Sequence, residues 1–364
     1  MDLYVFDRNL NFKGLLESYY SLRWIRRYHK SGEFELHCGL TPDSLVLLQR
    51  DNVIWKKDDL EAGYIEYRNI RQDQEGKEIL VIKGKFLTGY FNRRIIWGLE
   101  NFNTAAESAM RALINKNCIN PVDINRKIPL LILGEVKEYA QTVNFQTSYA
   151  NVLEQLENLS NVSELGYRTL IDINDKKLIF DIYKGKDLTV NQSVNPPAIF
   201  SKEFENVLEQ EYTDSLNNYR SLVLVAGEGE GIARELVTVG EGIGLDRYEL
   251  FVDARDLQST DENDNIIPIS EYKKMLEERG RTKLAEYTEI KTFDSRINLN
   301  SNLIYKKDFD LGDIVTCTSK RWGVTVDARI TEVEEIYEQD GLNLSVIFGN
   351  NIPTLVDKIK QVVR

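Results

Sequence analysis

Histidine, cysteine, methionine and proline are all scarce in this chain of 364 residues, which holds two, three, three and seven of them respectively. The cysteines Cys38, Cys118 and Cys317 are odd in number, far apart and in no C-x-x-C pair. Neither a disulfide framework nor a zinc ribbon is supported, and synthesis inside the cell fits best. His29 and His37 form no H-E-x-x-H and no other ligand spacing, so each reads as an ordinary strand or loop residue. Long hydrophobic runs are missing too: nothing reaches the roughly 18 apolar residues of a membrane span. The opening "MDLYVFDRNLNFKG" lacks the basic and then apolar segments of a secretory signal, so neither leader nor span is expected. The sequon Asn158-Leu159-Ser160 is then a chance match. Positive charge is in deficit, with 46 Lys and Arg against 58 Asp and Glu and a net charge of −12. That balance opposes a grip on nucleic-acid phosphates, whose affinity comes mainly from Lys and Arg displacing counterions.

What is present is apolar and aromatic. A composition 42% hydrophobic and 10% aromatic fills real cores, and the length allows two or three domains. From residue 1 to 97 the pattern is mostly strand: "GEFELHCGL", "YIEYRNIRQ" and "EILVIKGKFLTGYF" alternate β-branched and aromatic residues with polar ones. The turn "QDQEGKE" predicts a hairpin loop with Gly76 at positive φ. A small barrel or sandwich is expected here.

Residues 98–197 read as an α+β unit. "NTAAESAMRALINKN" predicts a helix with Thr104 and Glu107 forming a capping box. "SYANVLEQLENLSNVSEL" predicts a second helix with Val152, Leu153, Leu156 and Leu159 on one face, followed by the hairpin "YRTLIDINDKKLIFDIYKG". "NQSVNPPAIF" reads as a linker. Strands resume over 198–352 as a second β-domain, interrupted by a charged helix at about 269–288 and followed by a closing helix at 353–364.

Each stretch that suggests a site also has a simpler structural explanation. "LVLVAGEGEGIAR" runs a hydrophobic strand into Gly227, Gly229 and Gly231, but a dinucleotide loop needs a third glycine where Ile232 stands. Glu228 and Glu230 would set carboxylates beside phosphate oxygens, and "ARELVTVG" alternates like a strand rather than opening a helix. A glycine-rich hairpin is predicted. In "DENDNIIPISEY", Asp261, Asn263 and Asn265 match the first ligands of a calcium loop, but Ile266 and Tyr272 replace the required Gly and Glu, leaving an exposed acidic loop. His37 and Cys38 are adjacent in a strand and so point to opposite faces, poorly placed to share a proton. The basic clusters "RRYHKSGEF" and "NRRIIW" read equally as a solvated strand edge or a partner contact. Trp24, Trp55, Trp97 and Trp322 read first as core and second as interface residues. No catalytic, cofactor-binding or metal residue is assigned.

Several stretches together, in the same order, carry a resemblance: "IEYRNIRQDQEGKEILVIKGKFLTGYFNRRIIW", then "VLVAGEGEGIARELVTVG" with "GLDRYELFVDARDL", then "DFDLGDIVTCTSKRWGVTVDARITEVEEIYEQDGLNLSVIFGN". Over most of its length the chain resembles the tail-hub proteins of siphophages and prophages, related to contractile-phage hubs and the base of the type VI secretion spike. The resemblance implies a mainly β, α+β chain in which two tail-tube-like barrels are joined by a smaller α+β domain, with a helix inserted in the second. It implies a homotrimer adapting the sixfold tube to a threefold tip, made in the bacterial host cytoplasm and placed at the tail tip. Its expected partners are tail-tube, distal-tail, tape-measure and spike or fibre proteins, with DNA only passing through the lumen and no stable membrane association. Many such proteins continue into a fibre or a wall-degrading domain, whereas this chain stops at "NNIPTLVDKIKQVVR", so recognition and digestion are expected on other polypeptides. Two further readings stay open: a hydrolase of cell-wall glycan or peptide, marked by two carboxylates about 5 to 10 Å apart, and a carbohydrate-binding tail component, marked by aromatics lining a groove.

Overall fold

Alternation builds the first β region as the sequence dictates. In the computed structural model, which describes residues 1–57, 59–72, 76–260 and 265–349, its strands are β1 (Leu3–Phe6), β2 (Phe12–Leu16), β3 (Ser21–Arg27), β4 (Glu33–Gly39), β5 (Val53–Lys56), β6 (Ala62–Gln72) and β7 (Glu78–Phe86). One short helix, α1 (Pro42–Leu47), intervenes. Along β4, Phe34, Leu36 and Cys38 face the core while Glu33, Glu35 and His37 alternate with them. Trp24 packs on Phe86 with ring centroids 4.6 Å apart, at the centre of a core shared with Phe34 and Leu36. The β6–β7 hairpin sets Gln72 opposite Glu78, and Gly76 takes φ +84°, the left-handed conformation anticipated for it.

The middle region contains β8 (Leu99–Ala105), α2 (Ala106–Ile114), β9 (Leu131–Leu133), β10 (Thr142–Ser148), α3 (Val152–Ser163), β11 (Gly166–Asp172) and β12 (Lys177–Tyr183). The expected capping box does not form. Thr104 is still in a strand, paired with Val143 of β10, and α2 begins after Ala105 without a side-chain cap. Glu107 instead accepts hydrogen bonds from the backbone N–H groups of Lys137 and Tyr139, at 2.8 and 3.2 Å. The ladder with β10 holds the segment extended up to the point where the helix starts, which overrides the local cap signal. The second helix matches its spacing: Asn151 caps α3 by accepting from Leu153 and Glu154, and Val152, Leu153, Leu156 and Leu159 are buried. β11 and β12 form the anticipated hairpin, and β12 also pairs in parallel with β9.

The last region holds β13 (Asp187–Leu188), β14 (Ile199–Phe200), β15 (Val207–Ser215), β16 (Leu222–Ala226), β17 (Leu236–Gly240), β18 (Glu249–Asp253), α4 (Ile269–Ala285), β19 (Ile290–Ile297), β20 (Ile314–Ser319), β21 (Val324–Glu338) and β22 (Gly341–Gly349). The proline-containing stretch read as a linker is tied down at both ends, because β13 and β14 each pair with β20. Phe200 is fully buried in the second core, so the residues just past the prolines belong to the packed body. Strands β17, β16 and β18 form their own sheet, in that order, packed against α4 through Val223, Val225, Tyr272 and Leu276. The insertion is thus a three-stranded α/β unit, larger than a helix alone. The closing helix read at 353–364, and Asp261 and Asn263 of the acidic loop, lie outside the described residues.

The chain is mainly β, with several sheets, and among the described residues none closes into a barrel. Two separate closed barrels are therefore not what the strands form. One sheet of 14 strands follows the order β15-β19-β22-β21-β3-β4-β7-β6-β5-β1-β2, with β13, β14 and β20 off that path. The physical reason is β21, which is 15 residues long. It takes the edge of β3 that closure of the first unit would need, setting Trp24 opposite Glu335 and Arg27 opposite Glu332. The two β regions are halves of one sheet, each with its own core.

Candidate functional site: the charged seam between the sheet halves

The join of the two halves buries charge. On β3 the inward register runs Leu22, Trp24, Arg26 and Tyr28, so the Arg26 guanidinium enters the interior with 1% of the residue exposed. There its Nη1 donates to Asp310 at 2.7 Å and to the Tyr305 hydroxyl at 3.0 Å, while its Nε faces Glu61 at 3.3 Å. Glu335 takes the same kind of position on β21, in register with the inward Val333. It pairs with Lys56 of β5 and accepts from the hydroxyls of Tyr305 at 3.1 Å and Tyr337 at 2.5 Å. Lys56 also meets Asp59 at 2.9 Å and lies 5.5 Å from the centre of the Trp24 ring, and Lys306 bridges Asp59 and Glu335 at 3.2 and 3.5 Å.

Burial by itself would raise Asp59 and Glu335, but the ammonium groups of Lys56 and Lys306 overrule it and hold both carboxyls below their ordinary range. Glu61 goes the other way, since its burial outweighs the attraction of Arg26. The network joins first-half residues (Arg26, Lys56, Asp59, Glu61) to second-half residues (Tyr305, Lys306, Asp310, Glu335). Chemically it is a lock: each charge is held by a partner from another segment, and neither of the two main clefts opens onto it. Sequence reading missed all of it. The available signal was a charge at an inward position of a strand, as in Leu22-x-Trp24-x-Arg26-x-Tyr28 and Val333-x-Glu335-x-Tyr337.

The residues singled out from sequence are dispersed. "RRYHKSGEF" is no solvated basic edge: Arg26 is in the seam, and Arg27 pairs with Glu332 at 2.7 Å and Glu33 at 2.8 Å. Two cations, Arg27 and Lys85, outweigh the burial of Glu33 and lower its pKa to about 2. "NRRIIW" stays partly open, with Arg93 over the Tyr64 ring at 4.7 Å and Arg126 over a half-exposed Trp97 at 4.2 Å. Trp24 is core, whereas Trp322 is 44% exposed. The glycine stretch is a hairpin, β16 to β17, and its groups are already engaged. Glu228 N–H donates to the Tyr272 hydroxyl at 2.8 Å, and its carboxylate accepts from Ser259 at 2.6 and 3.0 Å. Gly227 is required for close approach, because a Cβ there would stand 2.6 Å from the Tyr272 hydroxyl.

His37 bonds Glu35 at 2.7 Å on the face away from the buried Cys38, whose thiol burial pushes up to about 11. Burial likewise pushes Cys118 up to about 12. A cleft of about 1180 Å³ separates α3 from α4 and β21, and is lined by Arg27, His29, Glu157, Arg281 and Arg329 among others. In it His29 Nδ1 lies 2.7 Å from Ser160 Oγ. The Ser160 hydroxyl donates to the Leu165 carbonyl at 2.6 Å, an arrangement in which the imidazole is the donor to Ser160 Oγ. Burial first, then Arg329, lowers His29 to about 3 and keeps it neutral. Among the described residues no group of three or more His, Cys, Asp or Glu is placed to hold a metal, and no helix is long and apolar enough to cross a membrane.

This fold is that of phage tail proteins. Superposition on the prophage tail protein gp18 from Listeria monocytogenes EGD-e gives a TM-score of 0.58 at 14% identity, over 100% of this chain and 98% of that one. The 43 kDa tail protein of prophage MuSo2 from Shewanella oneidensis gives 0.57 at 11% identity, over 96% and 98%. A chain of the Francisella PdpA-VgrG complex gives 0.51 at 10% identity, with 97% of this chain covering 59% of that one. No curated protein matches in sequence. Residues 2–350 match the family model described as Siphovirus ReqiPepy6 Gp37-like protein, and the chain belongs to that family.

Proposed function

We propose that the chain is the structural hub at the distal end of a phage or phage-like tail, where three copies form a ring that adapts the tail tube to the tip. The observation that carries this reading is the end-to-end match with prophage tail proteins, in which nearly all of both chains superpose. The fold shared with a chain of a VgrG complex supports a place among tail and spike components. In this reading the two sheet halves take the places of the two tube-like modules, residues 1–97 and 198–352, and the middle region spaces them. The lock between the halves makes each protomer one rigid sector, as a ring under load requires. A net charge of −12 suits a conduit that DNA passes without adhering. The role is non-enzymatic, and the partners are tube, distal-tail, tape-measure and spike or fibre proteins, met after synthesis in the host cytoplasm. Imaging assembled particles that carry a gold-labelled version of the chain tests the placement: label confined to the distal tip supports it, and label along the shaft or absent from particles refutes it.

A further inference from the structure

The stretch "NRRIIW" builds an open face outside the seam. Ile95 bridges to Asn151 and the Ile96 N–H donates to the Ala150 carbonyl at 2.8 Å, a register that brings Tyr149 beside Trp97. Ile96 is fully buried, so alternation turns Ile95 and Trp97 outward. Trp97 is 52% exposed with Arg126 already over its ring, Tyr149 is 73% exposed, and Ile124, in the same turn as Arg126, is exposed too. Single exposed apolar residues are ordinary, but aromatic, aliphatic and arginine side chains gathered in one place mark a contact. The face is also basic. Arg94 and Arg126 direct their hydrogen bonds to the carbonyl oxygens of Arg93, Ile95, Arg126 and Asn117 rather than to carboxylates, and Lys127 is exposed beside them. Against these cations the turn sets Asp123, which accepts from the Asn125 N–H at 3.0 Å. On a chain of net charge −12, such a face selects an acidic partner.

The chain itself carries a surface of the opposite kind. Between β17 and β18, the loop Glu241-Gly242-Ile243-Gly244-Leu245-Asp246 presents Ile243 and Leu245 at 88% and 95% exposure, with an exposed acid at each end. Its shape is fixed by backbone contacts. Gly244 takes φ +61°, and the Asp246 N–H donates to the Ile243 carbonyl at 3.2 Å. Ser221 ties the base, its hydroxyl donating to the Asp246 carbonyl at 3.1 Å and its carbonyl accepting from the Glu241 N–H at 3.0 Å. The next cation, Arg247, is taken up by Glu249 at 2.5 Å, so the knob stays acidic.

We propose that the Trp97 face seats a second copy of this chain, whose Glu241–Asp246 loop sets Ile243 and Leu245 on Trp97 and Tyr149 and its two carboxylates against Arg94, Arg126 and Lys127. The inference rests on the ring reading and deepens it, since a contact between two unlike surfaces repeats from copy to copy until a ring closes. Disulfide trapping on the full chain, alone and with its neighbouring tail proteins, tests it. Copies carrying Tyr149→Cys are mixed with copies carrying Leu245→Cys and oxidised; the three native cysteines are buried. A covalent pair of chains is expected in the mixture and not in either variant by itself. Lys127→Glu and Asp246→Lys should each raise the concentration needed for half-assembly about tenfold or more, and the two together in one chain should restore it. Leu245→Asp should weaken assembly similarly and leave the melting temperature unchanged, because the side chain is exposed in the single chain, which separates lost association from lost folding. Assembly that persists in every variant, with no covalent pair, overturns the proposal and leaves the ring reading standing. A cross-link from Tyr149→Cys to a different tail protein also overturns it, and a parent chain that is monomeric in every mixture overturns both.

Discussion

Replacing Arg26 with Met keeps most of the side-chain volume at the seam and removes the guanidinium. Glu61, 5% exposed, then keeps its carboxylate in the interior without the cation that faces it at 3.3 Å, and Asp310 loses its 2.7 Å bond. Breaking a buried ion pair from one side costs about 3–5 kcal/mol, because the remaining charge stays desolvated. The double variant Arg26→Met, Glu61→Leu removes both charges, and its cost should fall well below the sum of the single ones, with a coupling of roughly 1–3 kcal/mol. Urea unfolding followed by the fluorescence of Trp24, which is fully buried beside the seam, reads both quantities. The deficit should also depend on pH. Burial raises Glu61 in the folded state, and more so without Arg26, so the folded variant holds its proton more tightly than the unfolded chain. Stability is then lost as pH rises through the folded pKa and is regained toward pH 4 to 5. A single variant within about 1 kcal/mol of the parent, or a double variant as damaged as the sum, would refute the idea that paired charge locks the two halves.

Three other outcomes follow from the same geometry. Gly185→Ala should cost roughly 3 kcal/mol or more in urea unfolding, because its Cβ would stand 1.9 Å from the Gly312 carbonyl oxygen and backbone cannot yield there. Gly227→Ala should cost about 1–3 kcal/mol and expose the β16–α4 unit to limited proteolysis, since the Tyr272 hydroxyl must move. Asp294 of β19 carries a carboxylate oxygen without a partner, and burial followed by the nearby Glu211 and Glu332 pushes its pKa up to about 6. A raised carboxyl loses stability as pH climbs from about 4 to 6. Asp294→Asn should therefore stabilise the fold against urea more at pH 7.5 than at pH 4.5, by about 1 kcal/mol after solvent screening; an equal or reversed effect would contradict the assignment.

Local features were legible in the sequence because their causes are local. The β6–β7 hairpin with its Gly76 turn, the buried stripe of α3 and the β11–β12 hairpin all rest on periodicity and turn chemistry within about 20 residues. Thr104 and Glu107 misled because the deciding contact, the pairing of Thr104 with Val143, lies far along the chain. The largest miss has the same origin: β3 meets β21 across some 300 residues, as Arg27 opposite Glu332 shows. That single pairing opens the two expected barrels into one sheet. It also turns Arg26, which reads as part of a basic surface cluster, into a buried lock whose partners no spacing rule links.

The proposed ring of three copies at a tail tip is checked by the absolute mass of the purified chain in light scattering, across concentration and salt and again with its neighbouring tail proteins. Three times the chain mass is expected, alone or on mixing with those neighbours. A chain that stays monomeric throughout would contradict it.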